Sequence, residues 1–158
     1  MANSWLNAYV LHRRPYRETS FIVDFFTLEL GRVSAVARGV RSAKSDRRSL
    51  LQPFQALRVQ LSGKSDLKNL TQLESNGALR MLTGNALYCA LYVNEITNRV
   101  LPGGVEAAEL YSAYATALAA LQPEQAAAEY ILRQYELALL QELGVMPDFT
   151  TDAASNDP

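Results

Sequence analysis

Near Leu79 the hydrophobic period of this chain changes, and that change limits the possible folds more than any single motif. Up to that point apolar residues come in short alternating runs rich in Val, Ile and Phe, each bounded by turn residues. Beyond it, Ala and Leu recur at helical spacing. With 158 residues, 49% of them hydrophobic, the chain can bury one ordinary domain or two small ones sharing a core. The expected class is α+β: strands over residues 1–80, helices over 81–149, and a polar tail, 150–158, left disordered.

In the first half, residues 8–14 alternate as a half-buried strand, with Tyr9, Leu11 and Arg13 on one face and Ala8, Val10 and His12 on the other, until Pro15 ends it. Phe21 to Phe26 and Val33 to Arg38 form a hairpin around a turn containing Gly31. From Phe54 to Leu61 the alternation slips once near Ala56, as a β-bulge would make it. A turn at Gly63-Lys64-Ser65-Asp66 leads into a fifth strand around Leu70 to Leu73. Five short strands with no helical run long enough for βαβ units fit a small barrel better than a parallel sheet.

In the second half, Asn85 is the expected N-cap of a helix over 85–101, with an apolar stripe of Leu87, Ala90, Leu91, Ile96 and Val100. Because its first turns are apolar almost all round, it is expected to be buried against both the barrel and the later helices. Pro102-Gly103-Gly104 stops it. A second helix over 106–121 carries Leu110, Tyr111, Tyr114, Leu118 and Leu121 at core spacing. Pro123 and Gly144 bracket a third over 124–143, as N1 and C′ residues.

The overall charge of −1 hides a division. Residues 1–80 hold thirteen Lys/Arg against six Asp/Glu, a net +7, whereas residues 81–158 hold two against ten, a net −8. Such asymmetry suits a nucleic-acid-facing half and an acidic half; the competing reading is chance segregation of solvated charge. The sharpest feature lies between two strands: residues 38–48 hold five cations and one anion, with little apolar surface of their own. This stretch is expected to be a flexible cationic loop on a rigid sheet.

Several classes are excluded. The lone Cys89 cannot form an internal disulfide, and with only His12 beside it no four-ligand zinc site can be assembled, which makes a reducing, cytoplasmic setting the default. No apolar h-region and no run of about 18 apolar residues occurs, so neither secretion nor membrane spanning is expected. His12 on a strand beside Arg13 and Arg14 offers no triad, and Gly63-Lys64-Ser65 has Arg58 where a phosphate-binding loop needs glycine. Nothing supplies an acid, base or nucleophile set, so no catalytic residue, metal or cofactor is assigned.

What remains is binding. Arg13, Arg14 and Arg17 form one basic group, and Arg38, Arg41, Lys44, Arg47 and Arg48 another. At one end of a small barrel both could follow a phosphate backbone, with Tyr16 between them as a stacking or phosphate-facing ring. Phe21, Phe25, Phe26 and Phe54 could offer stacking faces for bases, but core packing is the favoured reading because a small barrel has few other large residues to fill it. In the acidic half, Arg133 stands between Glu129 and Glu136, which suits a helix-surface ion pair; beside Leu132 and Tyr135 it could instead receive an apolar partner tail ending in a carboxylate.

Four segments, AYVLHRRPYRETSFIVDFFTLELGRVSAVARGVRS, LLQPFQAL, LYVNEITNRVL and LRQYELALLQELG, occur in the order in which the RecO family of DNA repair and recombination mediators has them. The resemblance covers roughly residues 5–149. It implies an N-terminal five-stranded OB-fold-like barrel, followed by an α-helical domain, and a nucleoid-associated, non-catalytic protein. The implied activities are binding of single- and double-stranded DNA, strand annealing, and cooperation with RecR and single-stranded DNA-binding protein to load the RecA recombinase. RecO proteins usually run well beyond this length, and some carry a zinc-binding cysteine cluster where this chain has residues 150–158 and no cysteine. A shortened member without zinc, with an incomplete helical domain, is therefore expected. Two other readings compete: an RNA-binding, cold-shock-like barrel with a helical appendage, and an adaptor whose basic loop binds an acidic protein.

Overall fold

The computed structural model describes residues 4–42, 45–121 and 128–144. Lys44, the start of the expected third helix and the tail 150–158 lie outside the described residues.

Five strands, β1 (Leu6–Tyr16), β2 (Ser20–Thr27), β3 (Gly31–Ala37), β4 (Gln55–Ser62) and β5 (Leu67–Leu79), close into a barrel in the order β1-β2-β3-β5-β4. All neighbours are antiparallel except β3 and β5, which pair in parallel over Ser34–Val36 and Leu67–Asn69. The β2–β3 hairpin forms where expected. Its turn is held by Thr27, whose hydroxyl accepts from Leu30 N–H and donates to the Gly31 carbonyl. The slip near Ala56 is a register shift between Gln55 and Leu57.

Two expectations about β1 need correction. Pro15 does not end it, but stays in the ladder opposite Phe21. Pairing of β1 with β4 stops at Ala8, so the far end of β1 has an open side where a missing N–H is tolerated. The simple alternation also fails, because the register with β2 shifts between Val10 and His12. Leu11 is the extra residue. Val10 therefore packs inside the barrel while Leu11 packs outside it, under the helices. Beyond the bulge Arg13 falls opposite Val23, a residue of the barrel interior, and so shares the inward phase of Ala8 and Val10.

The basic connection from β3 to β4 is not simply a loose loop. It contains a short helix, α1 (Asp46–Leu50), whose N-cap Ser45 accepts from Arg48 N–H through its hydroxyl. The connection is pinned by Val40 and Leu51, both at most 1% exposed and both part of the barrel core. Those two apolar residues supply the packing that the cations cannot.

The helical half comprises α2 (Gly84–Val100), α3 (Ala108–Ala120) and α4 (Ala128–Glu142). The N-cap of α2 is Thr83 rather than Asn85. Its buried face is Ala86, Cys89, Ala90, Val93, Asn94 and Thr97, not the expected stripe, of which only Ala90 is fully covered. Small residues face inward because α2 packs closely on β1 and α4, which leaves Leu91 and Val100 exposed and Tyr88 73% exposed. The expected all-round burial of its first turns is thereby corrected. Gly144, at φ +75°, follows α4 and donates its N–H to the Gln141 carbonyl, as a C′ glycine does.

The two halves share a second core. Leu11, Phe26 and Phe54 from the barrel exterior join Val93, Leu110, Tyr114, Leu118 and Tyr135. Tyr9 and Phe26 pack edge-on or tilted against Tyr111 and Tyr114, with ring centroids 5.1–5.7 Å apart. Four buried polar side chains of this core are paired: Tyr114 donates to Asn94 Oδ1, Asn94 Nδ2 donates to the Val10 carbonyl, and the Thr97 and Tyr135 hydroxyls lie 2.6 Å apart. At the seam Arg32 donates to the Leu101 carbonyl (2.7 Å) and accepts from Gly104 N–H through its own carbonyl. Gly31 fits only as glycine there, since a Cβ would lie 1.9 Å from the Val105 carbonyl oxygen.

Candidate nucleic-acid interface

Pinning the α1 connection at Val40 and Leu51 sets the basic residues at one end of the barrel. Arg13, half-buried there, donates from Nη1 to the carbonyls of Leu51 (2.7 Å) and Arg48 (3.2 Å), which caps the end of α1. Its guanidinium also lies over the Phe21 ring, 4.7 Å from the centroid, and that of Arg48 is 5.9 Å from the same ring. Burial, and after it the Arg48 charge, lower the pKa of Arg13 from the ordinary arginine value. Arg48 donates to the Arg41 carbonyl, and Arg41 donates to the Arg17 carbonyl at 2.5 Å. Backbone acceptors thus chain the first basic group to the second, from the β1–β2 turn across to α1.

The remaining members lean toward β5. Arg47 donates to the Thr71 carbonyl (3.0 Å) and Arg38 to Asn69 Oδ1 (3.3 Å). Arg47 and Arg48 adjoin on α1, so the cationic surface runs from the β1–β2 turn over α1 to the outer edge of β5. Arg14 is exposed on β1 opposite Ile22. Tyr16 is half-buried, and its ring is covered by the Arg17 guanidinium at 5.0 Å. Arg17 sits at φ +55°, a left-handed position that turns the chain sharply between β1 and β2.

The electrostatic consequence is specific. Among the described residues, none of these arginines forms a salt bridge; the ion pairs there are Arg58–Glu74, Arg99–Glu95 and Arg133–Glu136, and His12 Nδ1 lies 3.9 Å from Asp24 Oδ2. The guanidinium partners are neutral carbonyls, one amide oxygen and aromatic faces, which hold position without cancelling charge. An arginine carries five N–H donors, so one or two such bonds leave the others directed outward. A cationic surface of this kind can take successive phosphates.

The second expected site is not assembled. Arg133 is exposed and bonds Glu136 at 2.6 Å, the ordinary pair its spacing allowed. Leu132, 9% exposed, and Tyr135, 2% exposed, point into the helical core instead. On a helix these neighbours cannot all share one face, so the three residues form no common apolar surface. Phe21, Phe25, Phe26 and Phe54 are all buried, as assigned. Residues passed over in the sequence include Val40 and Leu51 as anchors and Asn69 and Thr71 as arginine partners. Val40, a lone β-branched residue among the cations, was the available signal.

Two family models match. One described as "Recombination protein O N terminal" covers residues 1–78, and one described as "Recombination protein O C terminal" covers residues 81–158. Among curated relatives, the DNA repair protein RecO of Alteromonas mediterranea is 63% identical over all of this chain and 67% of its own length. That of Pseudoalteromonas atlantica is 54% identical over all of this chain and 65% of its own length, and that of Proteus mirabilis 40% identical over 98% and 63%. The chain spans about two thirds of the length of these relatives. With a barrel half and a helical half that each match their own model in sequence order, it belongs to the RecO family.

Proposed function

We propose that this chain serves DNA repair by gripping DNA through its phosphates and bringing complementary strands together. The observation that carries this is the run of arginines at one barrel end, of which Arg13, Arg17, Arg38, Arg41, Arg47 and Arg48 are each fixed by a neutral acceptor, an aromatic face or both, and none is salt-bridged among the described residues. Arg14, Arg17, Arg38, Arg41, Arg47 and Arg48 contact phosphates, joined by Lys44; Arg13 acts mostly from beneath, and Tyr16 meets the strand once Arg17 moves off its ring. Annealing needs no bond-making step, only screening between two polyanions while bases find partners.

The helical half is the surface left for single-stranded DNA-binding protein and RecR, in support of loading RecA. Membership of the RecO family supports these roles. With about four phosphates neutralised on single-stranded DNA, the log–log salt slope is about −0.7 per phosphate, so raising salt from 50 to 200 mM weakens binding roughly 50-fold. Salt-insensitive affinity would overturn phosphate binding. Preference for RNA over DNA of equal sequence would point to the cold-shock-like reading through the 2′-hydroxyl, and binding of an acidic peptide without any oligonucleotide binding to the adaptor.

A further inference from the structure

The opposite end of the barrel, where β1 starts and the β2–β3 and β4–β5 turns meet, opens into a cleft of about 660 Å³. Trp5, Leu6, Leu30 and Leu61 line it on the apolar side, Lys64 and Lys68 on the polar side. Trp5 is half-buried and Leu30 is 42% exposed, yet neither belongs to the barrel core or to the core under the helices. The fold therefore leaves their apolar faces unused. The Arg58 guanidinium, itself paired with Glu74, lies over the indole of Trp5, 5.1 Å from the ring centroid, and holds the ring while it still lines the cleft. Neither lysine is salt-bridged among the described residues; Lys68 donates instead to the Gly63 carbonyl at 3.2 Å. Glu29 is the one carboxylate on the wall among those residues, and both its oxygens accept from Asn7, through the backbone N–H and Nδ2, at 2.9 Å.

One side chain joins this end to the cationic surface. Asn69 accepts from Arg38 through Oδ1, and its Nδ2 stands 3.4 Å from where a Cβ on Gly63 would lie. The positive surface thus passes from Arg38 over Asn69 to the turn that bears Lys64, with Lys68 next to Asn69 on β5. An accessible aromatic ring outside any core, at the end of a line of cations without salt bridges, combines the two features that hold single-stranded nucleic acid. We propose that a single DNA strand gripped at Arg47 and Arg38 continues past Lys64 and Lys68 and stacks one base on Trp5 in this cleft. This rests on the phosphate-binding surface described above. A base inside a duplex has no free face to offer, so the contact exists only on single strands and is given up when the complement pairs.

The test reads the emission of Trp5, the only tryptophan of the chain. Oligo(dT) of about sixteen nucleotides should quench it, whereas an abasic strand of equal phosphate count should bind with the same salt slope and leave it nearly unchanged. By anisotropy of a labelled strand, Trp5→Ala should bind oligo(dT) at least about fivefold more weakly and the abasic strand as before, and Trp5→Phe, which keeps a stacking face, should recover most of the loss. Because Trp5 lies outside both cores, neither change endangers the fold. Making Lys64 and Lys68 Ala should flatten the log–log slope by about 1.4, and an unchanged slope would overturn the path to the cleft. Binding of oligo(dT) without quenching, equal quenching by the abasic strand, or full affinity in Trp5→Ala would overturn stacking on Trp5 and leave phosphate binding standing. Quenching by an apolar peptide and not by oligo(dT) would make the cleft a protein groove and overturn it too. Loss of all oligonucleotide binding by the native chain would remove both readings.

Discussion

The two halves of this molecule treat arginine in opposite ways. In the helical half, Arg99 bonds Glu95 and Arg133 bonds Glu136, each one turn away on its own helix, so both charges are neutralised locally. At the barrel end, Arg13, Arg41, Arg47 and Arg48 are fixed by backbone carbonyls, and no acid among the described residues bonds them. Both arrangements hold a long side chain still. Only the second leaves its charge available to a polyanion, and only there does the fold invest burial, through Val40, Leu51 and Phe21, to fix the backbone that does the holding.

The largest expected effect follows from removing the available charges. Changing Arg41, Arg47 and Arg48 to Ala should weaken single-strand binding by two orders of magnitude or more at 50 mM salt, about three phosphate contacts being lost; fluorescence anisotropy with a labelled oligonucleotide reads this. Arg13 separates the structural part of the barrel end from the binding part. Arg13→Ala leaves the Arg48 and Leu51 carbonyls without a charged donor and should cost about 2 kcal/mol of stability in urea unfolding.

Alkaline pH tests the helical half. Burial raises the Tyr135 phenol above its ordinary value of about 10, although its bond to Thr97 opposes this, and burial also raises the phenol of the fully covered Tyr114 well above it. A folded pKa above the unfolded one gives stability that is complete below about pH 10 and lost as pH rises through the folded value. Stability should therefore fall by about 1.4 kcal/mol per pH unit for each of the two tyrosines beyond that point. The smallest effect belongs to the exposed pair: Arg133→Ala should change stability by less than about 0.5 kcal/mol.

How far these features could be read in the sequence depended on whether one neighbour or several decide them. The β2–β3 hairpin, the Ala56 bulge and Gly144 after α4 follow from local chemistry, and all appear. The Leu11 bulge was hidden because Val10 and Leu11 are both apolar and serve different cores. The buried stripe of α2 was misplaced because β1 and α4 together select small residues over the large ones that the 3.6-residue period favours. The burial of Leu132 and Tyr135 is not legible locally, because nothing near them in sequence reveals that Thr97, 38 residues before Tyr135, meets its hydroxyl. The grouping of basic residues was legible as charge; that carbonyls rather than carboxylates hold them was not, since every residue carries a carbonyl.

The salt dependence of single-strand affinity, measured side by side for two variants, bears most directly on this contrast. Making Arg41, Arg47 and Arg48 Ala should flatten the log–log slope by about 2, whereas making Arg99 and Arg133 Ala should leave it at the native value. Equal flattening by both variants, or none by the first, would contradict the division of labour between the two halves.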